Sequence, residues 1–299
     1  AAGRARRRAA AQALLREAEA IRPADLSREN QVDLALLKNQ LRYDLWTDET
    51  LQSWAWDPQV YNDAAGGALY GLMQREFAPM PQRLRSAIAR MEKLPGLFAQ
   101  ARAELQPARV PLIHAQTVSR QNRGVLSIVD EMITPHAGTL PAADQARLKA
   151  ADARLRAAVA EHQTWLDQTL VPQAKGDFRL GAKLYDEKLR FALMSPMSRA
   201  DIRRAAEAAL KAARAEMYQL SRRVVGEGPE APDAATEQRI IEAALERSYQ
   251  DHPPRNGVVE AARSYLGQAV DFVRSRDLIT LPDAPVEIIL MPEFQRGVA

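Results

Sequence analysis

The side chains best suited to chemistry are few in this sequence and far apart. Its imidazoles are His114, His136, His162 and His252, and none lies three, four or five residues from another. A helical zinc site needs two ligands on one face at about that spacing, so HExxH and its relatives are absent and no local zinc motif exists. There is no cysteine, which excludes thiolate nucleophiles, thiolate ligands and disulfides. No G-x-S-x-G elbow, Walker loop or G-x-G-x-x-G fingerprint occurs. Carboxylates are plentiful, but along helical stretches they sit three or four residues from Arg or Lys, the pattern of a solvated face. His162 lies on a charged helix and His252 in a proline-rich helix stop, so both read as structural or solvent-facing. On motifs alone the catalytic and metal-ligand sets of this chain are empty, and no cofactor is expected in it.

The elements available to position a site are helices. The 299 residues are 46% hydrophobic and 26% charged, and 18 prolines outnumber 14 glycines, the composition of a helical chain cut by proline corners. Formal net charge is only +3, too weak a field for a nucleic-acid footprint. No apolar run reaches the roughly 20 residues that span a bilayer. The first ten residues carry four arginines without the apolar stretch of a signal peptide, and read as the first turns of a solvated helix. These features leave the compartment open.

Helix-period apolar residues recur along most of the chain. Ser27 is placed to cap a helix carrying Val32, Leu34, Leu36, Leu37, Leu41 and Leu45. Trp46, Trp54 and Trp56 with Tyr61 form an aromatic corner, either a platform for a ligand or large rings covering a core. A long amphipathic stripe runs from Leu84 to Leu105 with a bend expected at Pro95-Gly96, followed by helices over about 113–133 and 142–170. The segment from Gly176 to Arg190 mixes glycine, charge and aromatics, with Phe178, Tyr185 and Leu189 as its expected anchors. Ser198 and Asp201 have capping-box spacing before a helix with Ile202, Leu210, Met217, Leu220 and Val224. Two more helices, over about 236–249 and 257–275, follow the linker-like stretch 226–233. The expected fold class is mainly α: an antiparallel multi-helix bundle with long helices and proline corners, in a single domain over 1–299.

One segment breaks the helical pattern. Val286 to Met291 is short, apolar and β-branched, with prolines on both sides, and predicts a single C-terminal β-strand within residues 278–299. A lone strand cannot satisfy its own backbone groups. The sequence therefore predicts a sheet that the chain does not contain.

Several phrases together resemble the bacterial family known as domain of unknown function 885. They are Phe77-Ala78-Pro79, Arg83-Leu84-Arg85, Ala89 to Pro95, Gly176-Asp177-Phe178-Arg179-Leu180-Gly181, Asp251-His252-Pro253, Leu278 to Pro282, and Met291-Pro292-Glu293-Phe294-Gln295-Arg296-Gly297-Val298-Ala299. The resemblance runs from about Leu26 to the end. It implies kinship with gluzincin-type zinc peptidases, largely helical and built around a deep channel. The family's HExxH-like motif and a later Glu-Gly-Trp-Ala phrase are expected after the Met-Pro-Glu-Phe segment, and no position of this chain matches them.

The resemblance thus implies a non-catalytic helical channel wall, with zinc belonging to the full-length protein and the C-terminal catalytic half as partner. Peptide is the implied substrate of the whole. Tyr185, Arg190, Glu293 and Arg296 are the candidate substrate-binding residues, the last two through charge on a peptide terminus. The alternative is a free-standing helical scaffold that binds a protein partner, and a homodimer is possible for either.

Overall fold

The computed structural model describes residues 2–288, 290 and 291. Its elements are helices, α1 (Ala2–Ala20), α2 (Arg28–Trp46), α3 (Gln59–Met73), α4 (Met80–Met91), α5 (Leu94–Glu104), α6 (Leu112–Gln121), α7 (Ala142–Trp165), α8 (Gly181–Leu193), α9 (Arg199–Val225), α10 (Ala234–Tyr249) and α11 (Val258–Ser275), with shorter helical turns between them. The contacts divide the chain into two compact units, residues 1–195 and 196–290.

Local chemistry sets the ends of these helices. Ser27 accepts a hydrogen bond from the Asn30 backbone N–H at the start of α2, and Ser198 with Asp201 forms a reciprocal capping box at the start of α9. The expected stripe from Leu84 to Leu105 is two helices. The break falls at Glu92-Lys93, which places Pro95 in the first turn of α5, where its missing N–H costs nothing. Three helices end in widened turns closed by a bond from residue i+5: Gln52 N–H to Thr47 O, Thr134 N–H to Val129 O and Val171 N–H to Leu166 O. The expected helix over 142–170 thus continues through its widened turn to Gln173, and that over 113–133 is interrupted at Asn122-Arg123.

In the first unit, α3, α4, α5, α7 and the turns at 124–133 surround one core, which includes Leu69, Leu84, Ile88, Met91, Phe98, Val129, Ile133 and Leu155. A smaller cluster joins Tyr61, Ala101, Leu105, Val110, Val118, Leu166 and Leu170. Arg83 is buried within this unit and donates to the carbonyls of Met73 (3.2 Å) and Arg75 (2.8 Å) where α3 ends, a cation placed on the negative pole of a helix. Gly176 N–H donates to Val110 O at 2.9 Å, and a Cβ at Gly176 would lie 2.0 Å from Arg109 O. Only glycine allows the two backbones to approach so closely.

The second unit is a helical hairpin of α9 and α10 followed by α11. Its core is small, with Tyr218, Ile240 and Ile241 buried and Val225 packed beside them. The Tyr218 hydroxyl donates to Pro229 O at 2.7 Å and ties the 226–233 loop to α9. The apolar residues Leu210, Met217, Leu220 and Val224 of α9 are exposed. The strand expected at 286–291 is not formed by its described residues, which take neither ladder nor helix. Ile289 lies outside the described residues. Among the described residues no neighbouring strand offers it a ladder to join.

Candidate functional site

The aromatic corner is where polar and ring groups converge. The widened turn after α2 leaves Gln52 in the left-handed region (φ 54°), and a short helix, Ser53–Trp56, then presents the rings. The corner is held by its own indoles: Trp54 Nε1 donates to Asp48 O at 3.1 Å and Trp56 Nε1 to Leu51 O at 2.9 Å. Trp46 reaches away from them and donates to Glu187 on α8 at 2.7 Å. These bonds favour rings that cover a core over rings that offer a free platform.

Helix α1 closes the corner with arginines. The Arg4 guanidinium lies 3.9 Å from the Trp54 ring centroid, pairs with Glu104 at the end of α5 and sits 3.7 Å from Asp48. Arg8 lies 3.4 Å from Asp48 and 3.7 Å from Glu49. Tyr61 is buried, and its hydroxyl lies 2.8 Å from Trp54 O and 3.0 Å from Glu104 Oε2. Between α1, α2 and Trp54 runs a cleft of about 410 Å³, lined among others by Arg4, Arg7, Arg8, Asp44, Thr47 and Trp54.

Electrostatics decides what this corner can do. Burial works against ionising Glu104, but hydrogen bonds, those from Arg4, Gln100 and Tyr61 among them, outweigh it and hold the carboxyl below the usual carboxylate range. Burial first, and then the adjacent Glu104 carboxylate, push the Tyr61 phenol up, so it stays protonated. A carboxylate fixed as the anion and a phenol fixed as the acid exchange no proton near neutral pH. The corner can bind and orient a group; it offers neither an activated nucleophile nor a tuned general base.

A second cleft of about 370 Å³ runs along α7, lined among others by Arg123, Arg156, Gln163 and Asp167. There Asn122 donates to Val159 O (3.1 Å) and Gln163 Oε1 (3.0 Å), Gln163 donates to Ser119 O (3.1 Å), and Arg156 pairs with Asp130 and Asp152. Ser119 on α6 and Asn122 just after it thus serve packing against α7.

Of the residues singled out in the sequence, Tyr185 and Arg190 lie on α8, both exposed, Tyr185 at 49%. They are five residues apart, about 140° around the helix, so they do not share a face. Glu293 and Arg296 lie outside the described residues. The anchors of α8 also differ from expectation: Phe178 and Tyr185 are exposed, while Phe191 packs against Tyr43 (5.6 Å between centroids) and Trp46 (5.7 Å) on α2. Asn39 Nδ2 donates to Phe191 O at 3.0 Å.

His162 was legible only as a residue of a charged helix. It is buried instead, with its ring stacked between Phe98 (4.9 Å) and Trp165 (5.6 Å). Burial, with Arg102 nearby, pushes its pKa from 6.5 to about 4, so the imidazole is neutral at pH 7. No set of three or more His, Asp or Glu side chains able to hold a metal comes together among the described residues.

A model of a protein family described as "Bacterial protein of unknown function (DUF885)" matches residues 1–299. The chain belongs to the DUF885 family. A solved structure described as "a putative lipoprotein of unknown function from Shewanella oneidensis" superposes on this DUF885 chain with a TM-score of 0.73 at 25% sequence identity. The match covers 94% of this chain and 52% of that one, so the DUF885 chain spans about half the length of its solved relative. No curated protein matches it.

Proposed function

We propose that this DUF885 chain is the non-catalytic helical channel-wall portion of a zinc-dependent peptidase of the gluzincin type, whose catalytic residues lie in a part of the full protein outside this sequence. The observation that carries the reading is the span: nearly all of this chain matches only 52% of a solved relative. The electrostatics of the aromatic corner agree with a structural or binding part, since its best-placed acid and phenol are locked in one protonation state each. The peptidase class itself comes from the sequence resemblance. Zinc belongs to the part outside this chain, and no catalytic step is assigned to the residues described.

Within this reading Tyr185, Arg190, Glu293 and Arg296 are the candidate contacts to a peptide, with Glu293 or Arg296 meeting a charged terminus. The test uses the full-length product of the gene, incubated with a peptide mixture and read by mass spectrometry. Expected is hydrolysis that a chelator abolishes and zinc restores. Absence of zinc-dependent hydrolysis, with no bound zinc by elemental analysis, would favour the alternative, a helical protein-binding scaffold. Alanine at each of the four positions should raise KM for peptides, and an unchanged KM removes that residue from the site.

A further inference from the structure

Helix α11 is amphipathic in a way the rest of its unit does not use. At 100° per residue, Ala261, Phe272, Tyr265, Val258, Ala269, Ala262, Val273, Leu266, Val259 and Val270 fall in one continuous arc of about 180°. One half of that arc, Ala262, Val273, Leu266, Val259 and Val270, is partly covered. The other half is open apart from Ala261 at its edge: Val258, Tyr265 and Phe272 recur every seven residues and are 52%, 61% and 52% exposed. No residue of α11 is fully buried.

We propose that this open half is the docking surface for the part of a full-length family member that lies beyond the present sequence. The inference rests on the reading above that the chain is one portion of a longer protein, and it names the surface where the portions meet.

Two observations identify the occupant. The solved relative carries about as much chain again as this one matches, so a partner of sufficient size exists in the family. Finally, the described residues that follow α11 continue the same exposed apolar character through Leu278, Ile279, Val286, Leu290 and Met291, so the surface leads toward the chain end.

The polar side of α11 argues against a membrane as occupant. Its charges are Glu260, Arg263, Asp271 and Arg274, which sum to zero and pair within the helix, Arg263 with Glu260 at 3.6 Å and Arg274 with Asp271 at 3.0 Å. A helix that lies on anionic lipid carries an excess of Lys and Arg there. The residues of the open arc carry no charge, and the one cation that reaches it, Arg276, lies with its guanidinium 5.0 Å from the Phe272 ring centroid, so the partner surface is mainly apolar protein.

The test compares hydrogen–deuterium exchange over residues 258–275 in the 299-residue chain and in the full-length product of the same gene. Expected is slowing by about tenfold or more in the full-length protein. A paired variant, Tyr265→Ser with Phe272→Ser, should leave the unfolding midpoint and circular dichroism of the 299-residue chain unchanged, because both rings are exposed there. In the full-length protein the same pair should lower the midpoint and expose dye-binding apolar surface. Equal exchange in the two proteins overturns the proposal. So does protection that appears in the 299-residue chain alone only as its concentration rises, which would make a second copy the occupant. A reading frame that closes after Ala299 overturns this surface and the peptidase reading together. Protection of α11 in a full-length protein without zinc-dependent hydrolysis supports the surface and removes only the peptidase reading.

Discussion

Mild acid should destabilise the first unit through one residue, His162. Its imidazole is 4% exposed and lies between the rings of Phe98 and Trp165, in a site that accepts only the neutral form. Burial and Arg102 bring its pKa from 6.5 to about 4. In the unfolded chain the same group takes a proton near 6.5. Between these values the unfolded state binds more protons than the folded one, so stability rises with pH across that window. The contribution is complete above about pH 6.5 and is lost as the pH falls toward 4, with no further loss below. A shift of this size corresponds to about 3 kcal/mol, and the steepest slope to about 1.4 kcal/mol per pH unit.

The assay is urea unfolding followed by tryptophan fluorescence at half-unit steps from pH 7 to 4.5. All four tryptophans, Trp46, Trp54, Trp56 and Trp165, belong to the first unit, so the signal reports that unit. The window stops at pH 4.5 because Glu104, held down in the folded state, begins there to add a slope of the same sign, as its carboxyl in the unfolded chain takes a proton. Asp63, raised by burial and by Asp57, contributes in the opposite sense, so the comparison must be with His162→Leu. That variant keeps the site apolar and of similar volume and should flatten the profile. A wild-type free energy that varies by less than about 0.5 kcal/mol over the window, or a leucine variant with the wild-type slope, refutes the argument.

Other substitutions probe the packing directly. Gly176→Ala should destabilise the first unit by about 2–4 kcal/mol, because the new methyl must push the 107–110 turn away and stretch the Gly176–Val110 bond; Gly67→Ala, exposed in α3 with nothing near its Cβ, should stabilise by about 0.5–1 kcal/mol in the same urea assay. Tyr61→Phe removes the hydroxyl that meets Trp54 O and Glu104 and should cost about 1–2 kcal/mol, read by the same fluorescence transition. In the second unit, Tyr218→Phe should cost about 1 kcal/mol and speed amide exchange in the 226–233 loop, which that hydroxyl holds through Pro229.

Helix type and helix ends were legible in the sequence because they depend on neighbours. Ser27, and Ser198 with Asp201, cap the helices they were expected to cap, and the family assignment follows from phrases spread along the chain. Which face of each helix is buried was less legible, because it depends on what packs there. Val32, Leu36 and Leu37 share α2 with Leu34 and Leu41, yet only the latter pair is buried. His162 was hidden by Glu161 and Gln163, although adjacent residues on a helix point about 100° apart and His162 follows Leu155, Ala158 and Val159 at core spacing. The corner formed by Arg4, Tyr61 and Glu104 joins residues as much as 100 positions apart, which no local pattern reveals. The strand at 286–291 was read from composition alone, and composition supplies no second strand.

The backbone contact of Pro111 with Gly176 has a topological consequence. It brings together two points of the chain some 65 residues apart, so everything between them, from α6 through α7, leaves and returns at a single place. Closing a loop of that size costs only slightly more than closing a shorter one, because the entropy grows with the logarithm of its length. Relatives could therefore lengthen or shorten the turns inside this loop without disturbing where its ends meet. The glycine at the clasp, which carries no side chain, is what keeps that freedom open, and variation in chain length among relatives should gather between residues 111 and 176 while the two ends hold their register.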